Sequence, residues 1–139
     1  MWRFFTALVF LAFTASAPAT AGEAEIAGAR GAIDGQLKAF LADDESGAYA
    51  FAAPNITRMF PTVQSFMSMV EGAYMPVRRP QSYAFGKSEQ MSPTSVIQQV
   101  LLVGPDGKDY EAVYTLELQP DGTWRITGCS LRASNALST

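Results

Sequence analysis

The chain carries one turn twice, as Gly104-Pro105-Asp106-Gly107-Lys108 and as Gln119-Pro120-Asp121-Gly122-Thr123. Each copy joins two strand-like runs, so Val96 to Val103, Tyr110 to Gln119 and Trp124 to Leu131 follow one another as a three-stranded antiparallel meander. Proline presets φ at the first turn position, aspartate suits the second, and glycine takes the positive φ that a type I turn with a G1 bulge requires. Loop length decides which side chains share a face. A two-residue loop on Asp121-Gly122 sets Leu118 across from Arg125 and Leu116 across from Thr127, whereas a three-residue loop sets them across from Trp124 and Ile126. A one-residue slip turns every side chain to the other face, so the apolar match selects the three-residue form, with Glu117 meeting Arg125.

The same form in the first hairpin gathers Val96, Val100, Leu102, Tyr110, Ala112, Tyr114, Leu116, Leu118, Trp124 and Ile126 on one face. Gln98 is its polar intruder and falls opposite Tyr114. The other face alternates Ile97, Leu101, Val103, Val113, Cys129 and Leu131 with Gln99, Glu111, Thr115, Glu117, Gln119, Arg125 and Thr127. An antiparallel sheet can leave one face wet, but this one is too apolar to be wholly solvated. A partner is expected there, in the form of a second copy of the chain.

Ahead of the meander, Ile26, Ile33, Leu37, Phe40 and Leu41 recur at helical spacing between Glu25 and Asp44. Gly28, Gly31 and Gly35 form a stripe along that helix, and each costs ~1 kcal/mol relative to alanine. A close approach by another backbone accounts for such a stripe, and a frayed first turn is the simpler account of Gly28. The cap-rich Asp44-Glu45-Ser46 leads into a short helix over Gly47 to Ala53, and Pro54 opens another that runs to Phe60. Thr62 caps a third that reaches about Gly72. Its residues Val63, Phe66, Met67, Met69 and Val70 cover so much of the surface that it must be enclosed on more than one side. Tyr74 to Pro80 reads as an extended linker because Pro76 and Pro80 disfavour helix before themselves, and Ser82 to Ser88 reads as a fourth strand. The fold class is therefore α+β, with N-terminal helices packed on one face of a curved antiparallel sheet.

Arg3, the apolar run Phe4 to Phe13 and the small-residue site Ala19-Thr20-Ala21 have the form of a signal peptide over residues 1–21. The apolar run falls short of the ~20 residues that a membrane span needs. Cleavage after Ala21 leaves one domain over residues 22–139, periplasmic or secreted, with no membrane attachment. Without Arg3, nine basic residues face thirteen acidic ones, a net charge of −4 with no like-charge block, which argues against a nucleic-acid partner. Cys129 is the one cysteine and there is no histidine, so an internal disulfide and the commonest general base are both excluded. No phosphate-binding, dinucleotide, zinc-hydrolase or nucleophile-elbow motif is present, and no cofactor or metal is expected.

Several segments together resemble a known family. They are Gln36-Leu37-Lys38-Ala39-Phe40 with Asp43-Asp44, Phe51-Ala52-Ala53-Pro54-Asn55-Ile56, Phe66 with Met69-Val70, and Tyr74-Met75-Pro76-Val77-Arg78-Arg79-Pro80. Gly104-Pro105-Asp106-Gly107, Tyr114-Thr115-Leu116-Glu117 and the closing Asp121-Gly122-Thr123-Trp124-Arg125-Ile126-Thr127-Gly128-Cys129 complete the set. In combination they are similar to a family of short exported bacterial proteins, domain of unknown function 4864, within the nuclear-transport-factor-2-like (cystatin-like) superfamily. The resemblance implies a cone-shaped fold with a pocket and brings no established activity. It also implies that a pocket carboxylate could serve as a base with tyrosine as oxyanion donor, as in some enzymes of that superfamily. Asp34 or Asp43 paired with Tyr74 or Tyr114 would then form a small lyase or isomerase.

The leading expectation is a non-catalytic module whose pocket takes a small apolar or acidic ligand or a protein partner. Tyr74, Arg79, Tyr83, Gln98 and Tyr114 are its candidate ligand contacts. Arg78 and Arg79, set between prolines, are suited to a carboxylate or phosphate. Gln98 and Tyr114 either satisfy one another or meet a ligand. Cys129 reads as a structural thiol. An envelope scaffold with a filled interior is the third expectation.

Overall fold

Both turns close as their residues dictate. Gly107 and Gly122 take φ of 77° and 85°, and in the second turn Gly122 N–H reaches the Gln119 carbonyl at 2.9 Å while Gln119 N–H reaches Thr123 at 2.8 Å. Leu118 consequently pairs with Trp124, Glu117 with Arg125 and Leu116 with Ile126. The computed structural model describes residues 22–134, so the expected signal peptide lies outside the described residues. Five helices, α1 (Glu23–Leu41), α2 (Glu45–Tyr49), α3 (Pro54–Met59), α4 (Val63–Ala73) and α5 (Met75–Arg78), precede four strands. The strands β1 (Ser82–Ser92), β2 (Ser95–Val103), β3 (Asp109–Leu118) and β4 (Trp124–Ala133) form one antiparallel sheet in chain order. The architecture is α+β, as the order of patterns in the sequence requires.

The helix starts follow their capping chemistry. The Asp44 side chain accepts the Gly47 N–H at 3.0 Å and starts α2, and Thr62 and Ser65 make a reciprocal capping box at the start of α4. From α1, Ile33, Leu37 and Phe40 are at most 1% exposed, and they pack against Val96, Val100, Ala112 and Leu116 of the inner sheet face in one core. Each such side chain contributes roughly 1.5–3 kcal/mol by leaving water.

Three expectations change. The first is the path of the chain from Tyr74 to Pro80. It is not an extended linker, because Pro76 sits in the first turn of α5, where its missing N–H costs nothing, and Arg78 N–H bonds the Tyr74 carbonyl at 2.9 Å. The second is the face occupied by Cys129. A regular ladder puts it across from Val113 on the outer face, but Thr127 is an extra residue between the pairs Leu116–Ile126 and Thr115–Gly128. Cys129 therefore lies across from Tyr114, and Leu131 across from Ala112, on the inner face. The bulge is held by Asn55, whose Nδ2 donates to the Thr127 carbonyl at 2.8 Å, and by the Thr127 hydroxyl, which donates to Thr115 Oγ1 at 2.9 Å. Gly128 was its sign in the sequence, since a Cβ there would stand 2.8 Å from Thr115 Oγ1.

The third change concerns the glycine stripe of α1. Aromatic rings, not backbone, lie against it: a Cβ on Gly28 would overlap the Trp124 ring, and one on Gly35 the Phe51 ring. Gly31 faces open space. Gly31→Ala is expected to raise stability by about 1 kcal/mol through helix propensity alone, while Gly28→Ala and Gly35→Ala lose that gain to the displaced rings. Urea denaturation of the three variants checks the contrast.

Candidate functional site

Strand β4 is an edge strand, and its outward-pointing polar groups need partners. Ile126 exchanges bonds with the chain before α3, its N–H reaching the Phe51 carbonyl at 2.8 Å and its carbonyl accepting from Ala53 N–H at 2.8 Å. Beyond the Thr127 bulge, the Tyr74 hydroxyl donates to the Cys129 carbonyl at 3.0 Å and fixes the junction of α4 and α5. Two helical segments thus hang from β4 on either side of the bulge, and between them opens a cavity of about 500 Å³. Gln36 and Phe40 of α1, Tyr114 of β3 and Ile126 to Cys129 of β4 line it from within. Ile56, Met59 and Phe60 form one wall and Phe66, Met69, Val70 and Ala73 the other. No aspartate, glutamate, lysine or arginine is among these described lining residues.

The polar groups of the lining are few. Gln36 Nε2 is spent on the Ala48 carbonyl at 3.1 Å, and Asn55 on the bulge. Burial raises the Tyr74 hydroxyl above its ordinary pKa, with a smaller push from Cys129. Tyr114 is 1% exposed, and its hydroxyl, beside the Cys129 sulfur, makes no hydrogen bond of normal geometry. Burial is also what pushes the Cys129 thiol up to about 12, against a smaller pull from the Tyr114 hydroxyl beside it. A thiol so rarely ionised is a poor nucleophile. Iodoacetamide at pH 8 is therefore expected to modify Cys129 at least tenfold more slowly in the native chain than in urea, as read by mass spectrometry.

Of the ligand contacts expected from the sequence, Tyr74 and Tyr114 line the cavity and Arg79, Tyr83 and Gln98 do not. Gln98 and Tyr114 are cross-strand neighbours, yet they do not satisfy one another. The Gln98 amide is fully buried and turns toward β1. Its Oε1 accepts from Arg30 Nε at 3.0 Å and from the Ser88 hydroxyl, and its Nε2 donates to the Gln99 carbonyl at 2.7 Å. Arg30 is a residue that sequence reasoning missed. It falls between Ile26 and Ile33 on the apolar side of α1, and a cation there was the available signal. Its guanidinium lies 5.3 Å from the centre of the Phe85 ring and bonds Ser88 Oγ at 2.9 Å, at the irregularity in β1 between Phe85 and Ser88.

The two candidate acids also stand away from the cavity. Asp34 is bonded by Lys38 Nζ at 2.7 Å and by the Tyr83 hydroxyl at 2.6 Å, and these hold its carboxyl below the usual range, Lys38 first. Tyr83 in turn is pushed up to about 12, by burial first and by Asp34 second. Asp43 takes a left-handed backbone with φ of 57° and bonds both Arg78 and Arg79, which lower its carboxyl in that order. A base working near neutral pH needs a shift in the opposite direction. Arg79 also reaches the Phe40 and Leu41 carbonyls, at 3.3 and 3.4 Å, so its donors close the C-terminal end of α1.

Residues 23–139 match the family described as Domain of unknown function (DUF4864), and the chain belongs to that family. No curated protein and no solved structure matches it. No helix among the described residues is long and apolar enough to cross a membrane.

Proposed function

We infer that this chain is an exported, non-catalytic binding module of a cone-shaped, nuclear-transport-factor-2-like kind, whose cavity between α3, α4 and β4 receives a small apolar molecule. The observation that carries this reading is the cavity itself: about 500 Å³, open, and walled by uncharged and mostly apolar side chains. Its volume falls in the range of small-molecule sites, and its polar groups are few and clustered around Tyr114 and the β4 bulge. A scaffold without a usable cavity accounts less well for that open volume. The lyase or isomerase reading has less support too, because a proton-transfer site needs a carboxylate facing the substrate and neither Asp34 nor Asp43 lines the cavity. An acidic ligand at Arg79 would compete with Asp43 for the same guanidinium.

Native mass spectrometry of the secreted chain tests the reading. A reproducible adduct of a few hundred daltons, released on denaturation, is the expected result, and a bare protein mass from the native host together with no uptake of an apolar dye would overturn it. The outer sheet face, with Ile97 and Val113 half-buried and Leu101 44% exposed, supports pairing of two copies. Sedimentation is expected to show a dimer that Leu101→Lys dissociates. A monomer at every concentration counts against pairing and leaves the cavity reading standing.

A further inference from the structure

The Tyr114 hydroxyl presents an unanswered question of chemistry. Leaving a buried donor without an acceptor costs roughly 1–3 kcal/mol, and such groups in folded chains are few. Phenylalanine would fill the same place without that cost. Of the two polar residues paired with Tyr114, Gln98 on β2 turns its amide to Arg30, Ser88 and the Gln99 carbonyl, and Cys129 on β4 offers only a weak sulfur acceptor with which the hydroxyl makes no hydrogen bond of normal geometry. Of the neighbouring donors, the Tyr74 hydroxyl is committed to the Cys129 carbonyl, and Gln36 Nε2 has one of its two N–H groups on the Ala48 carbonyl. Tyr114 lines the cavity, and among the described lining residues its hydroxyl is the fully buried side-chain donor left without an acceptor.

The lining also says what the occupant is not. An ionised group taken into an apolar site without a paired charge meets a desolvation cost far above that of a neutral carbonyl. No lysine or arginine among the described residues lines this cavity to offset that cost. Resting on the binding reading above, we propose that the cavity selects an uncharged molecule with an apolar body and a single acceptor oxygen, which takes the Tyr114 hydroxyl hydrogen bond. Ketones, esters and ethers meet this description. Carboxylates, sulfonates and phosphates do not.

Displacement of the neutral dye Nile red tests both halves with three ten-carbon probes: 2-decanone, decanoate at pH 8, and n-decane supplied from cyclodextrin. The ketone is expected to bind about tenfold more tightly than decane, the worth of one hydrogen bond at a desolvated site, and at least tenfold more tightly than decanoate. In Tyr114→Phe the ketone's advantage over decane disappears, while the empty protein melts at the same temperature or higher because an orphaned donor has gone. Cys129→Ser gives that donor an oxygen within the chain, so it raises the melting temperature and shrinks the ketone's advantage. Decanoate binding as tightly as the ketone overturns the proposal. So does a ketone advantage that survives Tyr114→Phe, or a loss of stability in that variant, which would reveal a structural partner for the hydroxyl. If neither the dye nor any probe binds, the binding reading itself fails, a result distinct from equal binding of ketone and decane, which removes only the role of Tyr114.

Discussion

Replacing Arg78 with alanine is expected to lower folding stability by roughly 3 kcal/mol, the scale of a charged hydrogen bond lost at a buried site. The side chain is only 7% exposed, its guanidinium lies 5.8 Å from the centre of the Phe40 ring, and its Nη1 bonds the Phe40 carbonyl. That carbonyl belongs to the last turn of α1, where backbone acceptors have no partner within the helix. Alanine removes its buried charged donor and leaves it to Asp43 N–H at 3.1 Å and Arg79 Nη1 at 3.3 Å, opens space under α5, and takes from Asp43 one of its two guanidinium bonds, that from Arg78 Nη2 at 3.1 Å. Lysine restores the charge without the fork, so Arg78→Lys is expected to recover less than half of the loss. Urea unfolding monitored by tryptophan fluorescence measures both variants. A loss under 1 kcal/mol for the alanine variant would mean that Arg79, which reaches the same carbonyl and the same carboxylate, suffices alone.

The other large effect separates two adjacent leucines. Leu102 is 2% exposed on the inner face of β2, while Leu101 points to the outer face. Leu102→Ala is expected to cost about 2–5 kcal/mol, the range for emptying a leucine site in a packed core, and Leu101→Ala within about 0.5 kcal/mol for the monomer. If two copies pair through the outer face, Leu101→Ala acts instead on the concentration dependence of the melting temperature. Equal losses in both variants at low concentration would contradict the assignment of faces.

That assignment was legible because a strand has a period of two and a turn of known length sets its phase. Gly122 and the Leu116–Ile126 match determine the register of β3 with β4 up to Ile126, and α1 shows itself through Ile26, Ile33, Leu37 and Phe40. Legibility ends where a local rule meets a tertiary contact. Thr127 becomes a bulge residue because Asn55, seventy-two positions away, takes its carbonyl, and no period within β4 announces this. Pro76 breaks a helix in most contexts yet begins one here, because the Tyr74 carbonyl is available to Val77 and Arg78 and the buried Arg78 holds the turn in place. The cavity was hidden for the same reason. Its inner end depends on Cys129 facing inward, which follows from the bulge, while the acids suggested by superfamily resemblance are held as ion pairs with Lys38, Arg78 and Arg79 outside the cavity.

The most direct test is a titration of the folded chain with Nile red, repeated on Ala73→Trp. Ala73 is an exposed wall residue at the end of α4, so an indole there occupies the opening without entering the core. The account predicts saturable binding at one site per chain, weakened at least tenfold by Ala73→Trp with circular dichroism unchanged. Binding that is non-saturable, or equally tight in the blocked variant, would contradict it.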